Sequence, residues 1–115
     1  MPEAPKTHTL KLLRGSLYQL VQILATPGTF TSPADLYRAG ELLEAPELDL
    51  KDAPKEGTPV EKQREWGMVE VDLVVTERQR EVCKKGVEYH VGKGGLPSGR
   101  YTNRLMRELG LAPED

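Results

Sequence analysis

Apolar and polar positions alternate in two short stretches of this chain and recur at helical spacing in four others. From Thr7 to Leu13 the order is Thr-His-Thr-Leu-Lys-Leu-Leu, so Leu10 and Leu12 alternate with Thr9 and Lys11. A period of two sends successive side chains to opposite faces, which predicts a half-buried strand. Gly67 to Val75 predicts a second strand, because Met68, Val69, Val71, Leu73, Val74 and Val75 make it apolar and rich in β-branched side chains. Glu70 and Asp72 are two apart in it and share the solvated face.

The helical stretches carry their own start and stop signals. Ser16 followed by Gln19 has the spacing of a capping box, which predicts a helix from Leu17 to about Ala25 that buries Leu17, Leu20, Val21 and Leu24. Thr26-Pro27-Gly28 ends it. Ser32-Pro33 opens a second helix, with Leu36, Ala39, Gly40 and Leu43 as its apolar stripe and Pro46 as its stop. Thr76 with Gln79 is a second capping box, and the helix after it runs to about Val91 with Val82, Cys83, Gly86, Val87 and His90 on one face. A last helix starts near Ser98 and reaches Leu109, with Tyr101, Leu105, Met106 and Leu109 inward. Gly110 is its C-terminal cap, and Leu111 closes a Schellman-type contact.

Residues 46–66 are the weakest-patterned part, with three prolines and many charges. They read as a mobile linker or surface arm with Leu48 and Leu50 pinned to the body, and Pro59 opens a short helical turn that continues through Trp66. The predicted fold is therefore α+β and mostly helical: a two-stranded antiparallel sheet with four helices on one face. It forms one domain over 1–115, with a first βαα half at 7–45, the arm at 46–66 and a second βαα half at 67–111. The halves match locally as a pseudo-repeat: Ser16-x-x-Gln19 with Thr76-x-x-Gln79, Arg38 with Arg104, and Ala45-Pro46-Glu47 with Ala112-Pro113-Glu114. The first helix of the second half should be about two turns longer. Neither strand can satisfy its backbone alone, so the two are expected to pair with each other.

Composition narrows the chemistry. A chain of 115 residues supports one modest core. Its six aromatics argue against an aromatic-lined pocket or a base-stacking platform. One cysteine excludes an intrachain disulfide and a cysteine-rich zinc site. No apolar run is long enough for a membrane span, and the first residues lack the pattern of a signal peptide, so a cytoplasmic setting without membrane partners is expected. Gly92-Lys93-Gly94 does not match a phosphate loop: a glycine follows the lysine, and the segment follows a helix rather than a strand. Cys83 and His90 lie two helical turns apart, about 10 Å, beyond reach of a thiol–imidazole pair. No catalytic residue, metal ligand or cofactor site is assigned.

Charge is divided along the chain. Residues 41–65 carry eight acids and four bases, whereas residues 76–109 carry eight bases and four acids. Arg100, Arg104 and Arg107 fall on one face of the last helix, and Lys84 and Lys85 add to the basic half; these five are the candidate partner-binding residues. The phrases Leu13-Arg14-Gly15-Ser16-Leu17-Tyr18, Thr76-Glu77-Arg78-Gln79-Arg80, Leu96-Pro97-Ser98-Gly99-Arg100-Tyr101 and Leu109-Gly110-Leu111 resemble small uncharacterised proteins of tailed phages and prophages. That resemblance implies an accessory, assembly or host-interaction role in the host cytoplasm and transfers no site residues. The function expected is a non-enzymatic protein-interaction module with a protein partner or a second copy. The alternative is a nucleic-acid-binding protein using the basic helices of residues 76–109, which the net charge of −2 disfavours.

Overall fold

The computed structural model describes residues 6–111. The elements are β1 (Thr7–Leu13), α1 (Arg14–Ala25), α2 (Pro33–Leu43), a single 3-10 turn (Pro46–Leu48), α3 (Val60–Gly67), β2 (Glu70–Thr76), α4 (Glu77–Gly92) and α5 (Arg100–Glu108). The architecture is α+β and mostly helical, with one two-stranded antiparallel sheet. The described residues form five α-helices where the pattern predicts four. The additional one, α3, is the short turn expected from Pro59 through Trp66, here a full eight-residue helix ending at Gly67. Pro59 caps it by accepting the Lys62 and Gln63 amides on its carbonyl.

β1 and β2 pair from Thr7 opposite Thr76 to Leu13 opposite Glu70. The Glu77 amide donates to the Lys6 carbonyl and the Arg14 amide to the Val69 carbonyl, extending the ladder at both ends. Leu10, Leu12, Leu73 and Val75 turn inward onto Leu17, Leu20, Ile23, Val82, Val87 and Leu105. Leu48 is buried, and Leu50 packs partly buried against the same core.

The two expected capping boxes differ in outcome. At Thr76 both halves form: the Gln79 amide donates to Thr76 Oγ1 at 3.1 Å, and the Thr76 amide donates to Gln79 Oε1 at 2.9 Å. At Ser16 neither forms, because α1 starts three residues earlier than predicted, at Arg14, directly from β1. Ser16 is thereby inside the first turn, where its hydroxyl donates to the Tyr101 carbonyl at 2.8 Å. Gln19 Oε1 accepts from Thr102 Oγ1 instead. Both side chains are diverted from capping α1 to docking α5 on it.

α2 begins with Pro33 as expected, but it buries Ala39 and Leu42 and leaves Leu36 exposed, a correction to the predicted stripe. α5 begins at Arg100, two residues later than predicted, and ends in a Schellman motif. The Leu111 amide donates to the Met106 carbonyl at 2.7 Å and the Gly110 amide to the Arg107 carbonyl at 3.1 Å. Gly110 holds φ at +76°, which glycine adopts freely.

The element order repeats βαα on either side of α3. α4 has 16 residues against 12 in α1, one turn longer rather than two. The packing is not symmetric. α5 lies on α1 and β1, whereas α2 lies on α4 and α1 with no comparable packing on β2. The Ala112-Pro113-Glu114 match falls outside the described residues.

Candidate functional site

The five basic candidates do not form one surface. Lys85 of α4 reaches Asp35 of α2, with Nζ 3.3 Å from Oδ2. Arg104 is half-buried against the sheet: its Nη1 donates to the Lys11 carbonyl at 3.2 Å, and its Nη2 lies 3.9 Å from Glu70 Oε1. Arg100 is exposed and touches the Met68 sulfur, Arg107 is exposed, and Lys84 is half-buried. Since α4 packs on α1 and α2 and α5 packs on α1 and β1, the lysines and arginines belong to different sides of the helical layer. Of the arginine row, Arg104 is committed to the edge of β1, which its spacing alone does not reveal.

The reactive side chains are held apart. Cys83 is fully enclosed, and burial pushes its thiol up to about 12, so its thiolate is suppressed near neutral pH. His90 is engaged elsewhere, with Nε2 2.9 Å from Thr29 Oγ1 and its ring edge-on to Tyr89. His8 pairs with Glu77 at the end of the sheet at 3.1 Å, and that hydrogen bond draws the Glu77 carboxyl below its ordinary range. Glu70 and Asp72 are exposed on the outer face of β2. Among the described residues no three His, Cys, Asp or Glu side chains gather as a metal-binding group.

What the structure does assemble is a cleft of about 810 Å³ between α1, α3 and the loop joining α4 to α5. Three of the chain's six aromatics, Tyr18, Trp66 and Tyr101, line it. This overturns the expectation that so few aromatics could not furnish a pocket: they are far apart in sequence and are concentrated by the fold. Tyr101 forms the floor, wedged between two glycines. A methyl group on Gly15 would sit 2.5 Å from the Tyr101 ring, and one on Gly67 would collide with its hydroxyl. Tyr18 meets Trp66 edge-on, with ring centroids 6.4 Å apart, and remains 43% exposed. The Arg14 guanidinium sits over the Trp66 ring at 5.7 Å, a cation–π contact that steadies the indole. The Trp66 Nε1 atom is enclosed without a hydrogen-bond partner.

Three glutamines, Gln19, Gln22 and Gln63, share the polar wall with the charged side chains of Lys55, Glu56 and Arg64. Gln63 donates one amide hydrogen to the Thr58 carbonyl, and Gln19 uses its oxygen for Thr102. Their remaining carboxamide groups can both donate and accept, as a peptide backbone does. The sequence signal for this site was present in the glutamines at 19 and 22 beside Tyr18, but nothing local brings Trp66 to them. No protein-family profile, curated protein or solved structure matches the chain.

Proposed function

We propose that this protein is a non-enzymatic protein-interaction module of accessory or assembly type, acting in the cytoplasm, and that its docking site is the aromatic cleft. The carrying observation is the convergence of Tyr18, Trp66 and Tyr101 on one open cleft whose polar lining includes three glutamine carboxamides. Aromatic anchors beside carboxamides, with Lys55, Glu56 and Arg64 also lining the cleft, fit an extended segment of a protein partner that carries an apolar side chain and polar backbone. The phage-type resemblance agrees with such a role. The nucleic-acid reading draws less support, because the basic side chains are split between two sides and partly neutralised by Asp35 and Glu70.

The test is selection of binders from a random-peptide display library on the immobilised full-length chain. Recovered peptides should carry an apolar or aromatic anchor and should lose at least about tenfold in affinity to Tyr18→Ala, the scale of a contributing interface residue. They should be unaffected by Arg107→Glu. Failure to recover binders, or binding indifferent to Tyr18, overturns the cleft as the docking site. Steeply salt-dependent capture of DNA or RNA by Arg100 and Arg107 would replace it with the nucleic-acid reading.

A further inference from the structure

The two edges of the sheet are treated differently. The parity of the ladder follows from its ends: Arg14 bonds to Val69 and Glu77 bonds to Lys6, so the odd-numbered residues of β2 turn their backbone groups toward β1. The amides and carbonyls of Lys11 on β1, and of Glu70, Asp72 and Val74 on β2, therefore point away from the sheet. On β1 that edge is closed at its centre by α5: the Lys11 amide donates to Glu108 Oε1 at 2.7 Å, and its carbonyl accepts from Arg104 at 3.2 Å. The counterpart of α5 in the first half is α2, which packs on α4 and α1 instead. Among the described residues, nothing bonds to the outward amides and carbonyls of Asp72 and Val74. Val74 is 58% exposed, and Asp72 is exposed beside it.

An open edge strand is a template for another strand, and a sheet of only two strands gains from being extended. We propose that β2 pairs antiparallel with β2 of a second copy of this chain, giving a symmetric dimer with a continuous four-stranded sheet in the order β1, β2, β2, β1. The strand is self-complementary in one register. With the two-fold axis beside Leu73, Asp72 stands opposite Val74 of the second copy and Val74 opposite its Asp72, which closes four backbone hydrogen bonds. On the inner face Leu73 stands opposite Leu73 and Val71 opposite Val75, all apolar positions; Leu73 and Val75 are already enclosed within each copy, and half-buried Val71 has apolar surface left to cover. On the outer face, each Asp72 keeps Lys11 on one side and gains valine on the other. Slipping the register one way sets Asp72 directly against Asp72, which like-charge repulsion opposes. Slipping it the other way sets Asp72 opposite Thr76, whose amide already serves Gln79.

Sedimentation equilibrium of the full chain from low micromolar to millimolar concentration tests the pairing, together with amide exchange over the same range. The mass should rise from 12.8 kDa toward twice that value, and the Asp72 and Val74 amides should become protected in step with it. Val74→Pro removes an outward amide and leaves the β1 ladder its hydrogen bonds, so it should weaken the dimer at least about tenfold. A chain that stays monomeric at millimolar concentration overturns the proposal. So does a dimer in which the Asp72 and Val74 amides exchange as freely as in the monomer. The exchange readout needs no variant, so a misfolded proline mutant does not decide the matter.

Discussion

Tyr101 shows how one side chain sets demands on distant positions. Gly15 is in the first turn of α1 and Gly67 ends α3, and each leaves room for the same ring. A glycine in an exposed helix normally gains about 0.5–1 kcal/mol when replaced by alanine. Here Gly15→Ala should instead destabilise by about 1–3 kcal/mol, the scale of overpacking, and pairing it with Tyr101→Ala should remove that penalty, as urea unfolding of the single and double mutants would record. Cys83 offers a second residue-scale prediction. Its folded thiol titrates near 12 against an ordinary 9.0, so its contribution to stability is complete below pH 9 and is lost as pH rises toward 12. Cys83→Ala should lack that alkaline component, which urea midpoints across the range would measure. The folded wild type should also react slowly with thiol reagents at neutral pH.

The helices differ in what holds their first turns. Thr76→Ala removes a complete capping box and should lower stability by about 1 kcal/mol, with faster amide exchange confined to the start of α4. Ser16→Ala removes a tertiary hydrogen bond to α5, so its comparable loss should appear as faster exchange in α5 rather than in α1. Sequence spacing makes the two sites look equivalent. Both helices follow their strands directly; they diverge because α4 starts right after Thr76, which is its N-cap, whereas α1 starts at Arg14, so Leu13 is the N-cap and Ser16 falls inside the first turn. The α2 stripe is a similar case. Leu36 and Leu42 are equally apolar, and only the position of α4 and α1 decides that Leu42 is covered and Leu36 is not.

Across the whole molecule, the arm between α2 and α3 is the segment with least structure of its own. Leu48 anchors its start, and Pro59 fixes the entry to α3, but Lys51 and Lys55 stand exposed in turns between them. Limited tryptic digestion should cut first at Lys51 or Lys55. Cleavage elsewhere with both lysines resistant would mean that the arm is packed more firmly than its pattern indicates. Since α3 carries Trp66 into the cleft, a cut there should also weaken peptide binding while leaving β1 and β2 paired, which amide exchange would distinguish.

Local pattern was enough for β1, the Thr76 cap, the Schellman end of α5, the antiparallel pairing and the body of β2, because each rests on contacts within a few residues or on a periodicity that only one packing satisfies; β2 starts at Glu70 rather than at the expected Gly67, which ends α3. Leu10, Leu12, Leu73 and Val75 could be placed inward from alternation alone. Tertiary structure alone decided the site. Tyr18, Trp66 and Tyr101 have no shared spacing, and their meeting depends on how α1, α3 and the α4–α5 loop are packed. It also decided that Arg104 closes the edge of β1 while Arg107 is exposed, although both lie on the same predicted face of one helix. A helical period fixes which side chains point the same way. Whether they meet solvent, a carbonyl or a carboxylate is fixed by the element that happens to lie beside them.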